Sequence, residues 1–128
     1  MTEARVQNEI RLALGRSAVL FRNNVGTGWT GDITRLRDGS IHIKNPRPLH
    51  AGLCKGSSDL IGWRSITVTP DMVGKQVAVF SAVEVKGPRG RATAEQIHFI
   101  TRLNNDGGLA CVAKNAEDAK KGLALNVK

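Results

Sequence analysis

The chain has 128 residues and carries nineteen Lys and Arg against eleven Asp and Glu, a formal charge of +8, with a pI near 10.2. That length suits one compact core rather than two, so a single domain over residues 1–128 is expected, and its cationic balance points to a polyanionic partner such as nucleic acid. Two cysteines, Cys54 and Cys111, with no second pair at ligand spacing argue against a zinc site, and no stretch is apolar enough for a leader or a membrane span. A cytosolic protein with reduced thiols is expected.

The first segment, TEARVQNEIRLALGR, has helical periodicity, with Thr2 as N-cap and Gly15 as its stop. Val6, Ile10 and Leu14 form one stripe. At about 100° per residue Glu3 and Gln7 fall on that same side, whereas Glu9 points away. An acid aligned with an apolar stripe either serves the helix dipole or has a polar partner such as a metal. AVLFRNN then predicts a short strand over residues 18–22, running into a polar loop.

GDITRLRDGSIHIKN, residues 31–45, predicts a hairpin turning at Asp38 and Gly39, with Arg35, Arg37, His42 and Lys44 sharing one outward face. Such a ribbon suits phosphates or simply water. Residues 46–58 read as turns, and DLIGW as a short apolar segment opened by Asp59. QVAVFSAVEVK predicts a strand over residues 76–86 in which period-2 geometry sends Glu84 and Lys86 to one face. After GPRGR, Thr93 caps a helix carrying Ile97, Ile100 and Leu103, and Gln96 completes a capping box. Gly107 and Gly108 end it. LACVAK is a last buried strand and Asn115 opens a last helix. Helices interleaved with strands indicate an α/β sheet with helices packed on its faces.

Three acids and a lysine stand out as chemistry. The carboxylates of Glu3, Asp59 and Glu84 are hard oxygen ligands of the kind Mg²⁺ or Mn²⁺ prefers, and such an ion clamps a phosphodiester while acidifying water. Lys86, which is not a ligand while protonated, would position the attacking water or stabilise charge on the phosphorane. By itself an E-x-K pair on a strand is also ordinary alternating charge. Arg89 and Arg91, directly after that strand, suit phosphate contacts. Trp29 and Trp63 either stack on a base or seal a core or interface.

Taken together, TEARVQNEI, RNN, KGSSDLIG, VEVKGPRGRATAEQ and NDGGLACVAKNAEDA resemble the VRR-NUC (virus-type replication-repair nuclease) branch of the PD-(D/E)xK nucleases, over residues 3 to about 119. The resemblance implies a restriction-endonuclease-like fold, a central mixed β-sheet flanked by helices. It also implies divalent-metal phosphodiester cleavage and, as in short stand-alone viral or prophage members, homodimers acting on Holliday junctions. Carried over by position, it places the motif acid on Asp59, the acid and lysine of the second element on Glu84 and Lys86, the helix glutamine on Gln96 and the first-helix acid on Glu3. Ser58 stands where the family motif has proline. Arg22, Asn23, Lys55, Ser57, Arg89 and Arg91 are the expected DNA contacts. Flap, nick or restriction-type cleavage, and a non-catalytic basic module that only binds nucleic acid, are the competing readings.

Overall fold

The computed structural model describes residues 2–124, and the chain divides into two compact units, Met1–Gly62 and Trp63–Lys128. The first unit begins with α1 (Glu3–Leu14), capped by Thr2, whose hydroxyl accepts from the Arg5 amide, and ended by Gly15. Strand β1 (Val19–Arg22) follows and pairs with β4 (Leu60–Trp63), inside which the boundary between the units falls. Gly62 is required there: a Cβ at this position would drive into the Val19 carbonyl. Between these strands lies a long hairpin, β2 (Gly26–Arg35) and β3 (Ile41–Ala51), paired antiparallel.

The hairpin differs from the expectation in two ways. Arg35 pairs with Ile41 and Thr34 with His42. The connection is therefore the three residues Arg37, Asp38 and Gly39: Leu36 N donates to Ser40 O at 2.9 Å, Gly39 N to Leu36 O at 3.1 Å, and Gly39 takes φ 87°. A two-residue Asp-Gly turn would have set Arg35 opposite His42. The one-residue change of register moves Arg35 to the face opposite His42 and Lys44. The four do not share a face.

The second difference is length. Strand β3 runs on through Pro46 and Pro48 to Ala51, where turns were expected. Proline's fixed φ suits an extended edge strand that needs no second ladder of hydrogen bonds. A bulge separates Thr30, opposite Arg47, from Asp32, opposite Lys44. Gly31 there faces two residues, Asn45 and Pro46, and Asn45 absorbs the extra length with φ 52°.

The second unit holds a 3₁₀ turn (Pro70–Met72), β5 (Ser81–Val85), α2 (Ala94–Asn105), β6 (Leu109–Ala113) and α3 (Ala116–Gly122). Strand β5 is shorter than the expected 76–86. It pairs in parallel with β6, Val83 opposite Cys111 and Val85 opposite Ala113. Helix α2 lies on one face of the pair and α3 on the other, where a Cβ on Gly122 would strike Cys111. Leu103 of α2 is fully buried, and Ala110 and Ala113 of β6, on opposite faces of the strand, are buried as well; burying a leucine side chain stabilises by about 2–3 kcal/mol. Trp63 packs on Phe80 at 5.2 Å and edge-on to Phe99 at 5.8 Å. Its indole N–H donates to Asp106 Oδ2 at 2.9 Å. Trp63 thus belongs to a core cluster rather than a base-stacking surface.

Among the described residues the strands form three two-stranded sheets, β1–β4, β2–β3 and β5–β6, and are not hydrogen-bonded into one central sheet. The described residues make a mixed α/β architecture with three α-helices.

Candidate active site

Strand β5 alternates as its sequence demands, but with the apolar residues on the less covered face. Val85 is 75% exposed, while the Lys86 and Glu84 side chains are 20% and 31% exposed. The reason is α2. Its first turn lies over the charged face, and Gln96 Nε2 donates to Glu84 Oε1 at 2.8 Å. Lys86 Nζ reaches the same oxygen at 3.1 Å.

Gln96 carries two loads at once. Its Oε1 accepts from the Thr93 amide at 2.8 Å, and its own amide donates to Thr93 Oγ1 at 3.2 Å, which closes the capping box. Its NH₂ then remains to brace Glu84. The capping and the site readings of this residue are both present in one side chain. Glu84 Oε2 takes part in no hydrogen bond among the described residues, so one carboxylate oxygen is held and the other is left to act as a ligand or base.

The loop after β5 is closed by Gly90 N donating to Gly87 O at 3.0 Å. Arg89 and Arg91 project from it, exposed. Lys114, which sequence reasoning missed, donates from Nζ to Pro88 O at 3.0 Å. Its signal was its place directly after β6: Lys86 N donates to Ala113 O at 3.0 Å, so Lys86 and Lys114 leave neighbouring strands together. The carboxyl ends of parallel strands are where α/β proteins build sites, and this one gathers four cations, Lys86, Arg89, Arg91 and Lys114.

In the first unit, Asp59 is exposed one residue before β4. Its carbonyl accepts from the Asn23 amide at 2.8 Å. The Asn23 side chain organises the KGSSD loop: Nδ2 donates to Ser57 Oγ at 2.7 Å and Ser58 O at 2.8 Å, and Oδ1 accepts from Leu53 N at 3.0 Å. Ser57 Oγ in turn donates to Cys54 O at 2.7 Å. Asn23 and Ser57 are spent on one another and on the loop backbone, while Lys55 is exposed at its tip. Arg22 Nη2 donates to Asn8 Oδ1 of α1 at 2.9 Å. Glu3 is exposed in the first turn of that helix. The structure therefore brings Arg22, Asn23, Ser57 and Asp59 together in one unit, and Glu84, Lys86 and Gln96 in the other. Among the described residues no group of three His, Cys, Asp or Glu side chains is placed to hold a metal ion.

No helix among the described residues is long and apolar enough to cross a membrane. No curated protein and no solved structure matches the chain significantly. The family profile of the VRR-NUC domain matches residues 42–117, a segment that begins in β3, ends in α3 and contains Asp59, Glu84, Lys86 and Gln96. Glu3, Arg22 and Asn23 lie before it. With more than half of the chain matched, and the braced Glu84–Lys86–Gln96 group inside the match, the chain belongs to the VRR-NUC family, nucleases of the PD-(D/E)xK type that act on DNA and generally use divalent metals.

Proposed function

We propose that residues 1–128 act as one structure-specific DNA endonuclease of restriction-endonuclease-like fold, dependent on Mg²⁺ or Mn²⁺, that cuts branched DNA such as Holliday junctions as a homodimer. The observation that carries this reading is the Glu84–Lys86–Gln96 group inside the family match. A half-covered strand face bearing a carboxylate, a lysine and a helix-borne amide has no packing advantage over valine, and its polar atoms are aimed at one another.

The donor set fits a hard cation. Asp59 and Glu84 supply carboxylate oxygens, one of those on Glu84 without a described partner, and Glu3 supplies another acid. The bound ion would supply charge neutralisation at the phosphate and a more acidic water. The remaining roles belong to the chain. Lys86 lies beside Glu84 and stabilises the negative charge that builds on the phosphoryl oxygens as water attacks and the P–O bond breaks. Gln96 holds Glu84 in place, so that the carboxylate need not reorganise. Arg22, Lys55, Arg89 and Arg91 contact phosphates and position the DNA without reading bases, while Asn23 and Ser57 shape the loop that presents Asp59. One site per chain makes one cut, and paired cuts in opposite strands of a junction need two copies related by a two-fold axis.

The test is cleavage of a labelled four-way junction beside linear duplex and a flap, with Mg²⁺, Mn²⁺ or chelator, for wild type, Asp59→Ala and Glu84→Ala. Symmetric, metal-dependent cuts are expected, lost in either variant while DNA binding stays within severalfold. Tight binding with no cutting under either ion would make the Glu84–Lys86 pair a structural ion pair in a DNA-binding module.

A further inference from the structure

The β2–β3 hairpin has two unlike faces. In antiparallel pairing, directly opposed residues share a face, so Trp29 lies with Pro48, Ile33 with Ile43, Arg35 with Ile41, and Thr27 with His50. The contact of Thr27 Oγ1 with His50 Nδ1 at 3.3 Å agrees with that assignment. Because the bulge is on β3, β2 keeps its alternation. One face therefore reads Trp29, Ile33, Ile41, Ile43 and Pro48, with Thr27 and His50 at one end and Arg35 at the other. The opposite face carries Asp32, His42, Lys44 and Arg47, with Leu49 as its large apolar residue.

The apolar face is open. Trp29 is 60% exposed, Ile33 58% and Ile41 53%. An isolated two-stranded ribbon is marginal in water and needs its hydrophobic face covered. Its length, charge and area together point to one occupant. We propose that this face is the homodimer contact, two hairpins stacking face to face about a two-fold axis so that Trp29 of each copy lies over Ile33 and Ile41 of its partner. The proposal rests on the dimeric reading above and says where that dimer is made.

Charge selects the surface. Two copies at +8 each repel, so they meet most easily where neither presents cations, and the apolar face is uncharged apart from Arg35 at its end. The opposite face, with Lys44 and Arg47, would oppose like charges in a self-contact and is better suited to phosphate. Area is sufficient. At these exposures Trp29, Ile33 and Ile41 offer about 300–350 Å² of apolar surface per copy. With core interfaces roughly 65% apolar, two copies bury on the order of 1,000 Å² in all, the threshold for a specific association. Arg35, Thr27 and His50 then form a polar rim.

The experiment is sedimentation equilibrium of the full chain at several concentrations, for wild type, Trp29→Lys, Ile33→Glu and an equimolar mixture of the two variants, each checked by circular dichroism and junction binding. Both substituted residues are more than half exposed, so folding of the variants is expected to survive. The wild type should be dimeric and each variant about 100-fold weaker in self-association. The mixture should recover dimer, since the new Lys and Glu would face each other across the axis. A wild type that stays monomeric removes the dimeric reading and this surface with it. A dimeric wild type whose variants are equally dimeric overturns the surface alone. Variants that keep dimerising but lose junction binding assign the face to DNA instead, and overturn the proposal.

Discussion

Because Gln96 both caps α2 and braces Glu84, the two loads can be separated by comparing Gln96→Ala with Thr93→Ala. Thr93→Ala removes the hydroxyl that accepts the Gln96 amide at 3.2 Å but leaves the 2.8 Å bond from Gln96 to Glu84. The loss of an N-cap costs about 1 kcal/mol. Gln96→Ala removes the reciprocal half of the box and also the donor to a carboxylate that is 31% exposed. A hydrogen bond to a charged group contributes about 1.5–3 kcal/mol when buried, and partial exposure reduces this to about 1. Gln96→Ala is thus expected to cost about 2 kcal/mol against about 1 for Thr93→Ala, a further drop in Tm of roughly 3–5 °C. If Glu84 must be held where it is, about 1.4 kcal/mol of lost positioning slows cleavage about tenfold, a loss that Thr93→Ala does not share. Thermal unfolding and single-turnover junction cleavage read the two quantities separately. Equal cleavage rates for the two variants would refute the view that Gln96 acts through Glu84.

Lys86→Ala should lower the cleavage rate about 100-fold, on the scale of other charge-stabilising groups, with DNA affinity nearly unchanged; single-turnover rates and a filter-binding titration check both parts. Asp106 is held below the usual carboxylate range by hydrogen bonds first from the Trp63 indole and then from Arg102, whose charge also favours the anion. Its folded pKa being depressed, it contributes stability above the unfolded value, near 3.8, that is lost as pH falls through the folded value. Acid unfolding followed by tryptophan fluorescence should therefore show a shallower loss for Asp106→Asn than for wild type below about pH 4. Leu103→Ala, at a fully buried position, should destabilise by about 2–5 kcal/mol in urea unfolding.

Much of the local structure was legible in the sequence because it rests on neighbours a few residues apart. The caps at Thr2, Thr93 and Asn115 are where the residue types place them. The shared face of Glu84 and Lys86 follows from the period of a strand, and the family is carried by short motifs whose order survives in the match over residues 42–117. The hairpin shows where local reading ends. Asp-Gly marks a turn, but whether two or three residues close it depends on which pairing the two strands prefer along their whole length, and that choice moved Arg35 to the other face. The prolines at 46 and 48 look like turn chemistry, yet an edge strand has no use for the amides they lack.

What only the tertiary structure decided is which polar groups are engaged. No spacing rule links Gln96 to Glu84, or Lys114 to the Pro88 carbonyl, because those contacts depend on α2 crossing β5 and on β6 lying beside it in parallel. The same holds for Asn23, whose place between Ser57, Ser58 and Leu53 makes it a loop organiser. By itself the sequence determined the helices with their caps, the cationic balance and the candidate acids, since each depends on residue type and local period. Only packing determined that the charged face of β5 is the covered one while its valines face outward, because burial is a property of what lies across from a residue and not of the residue itself.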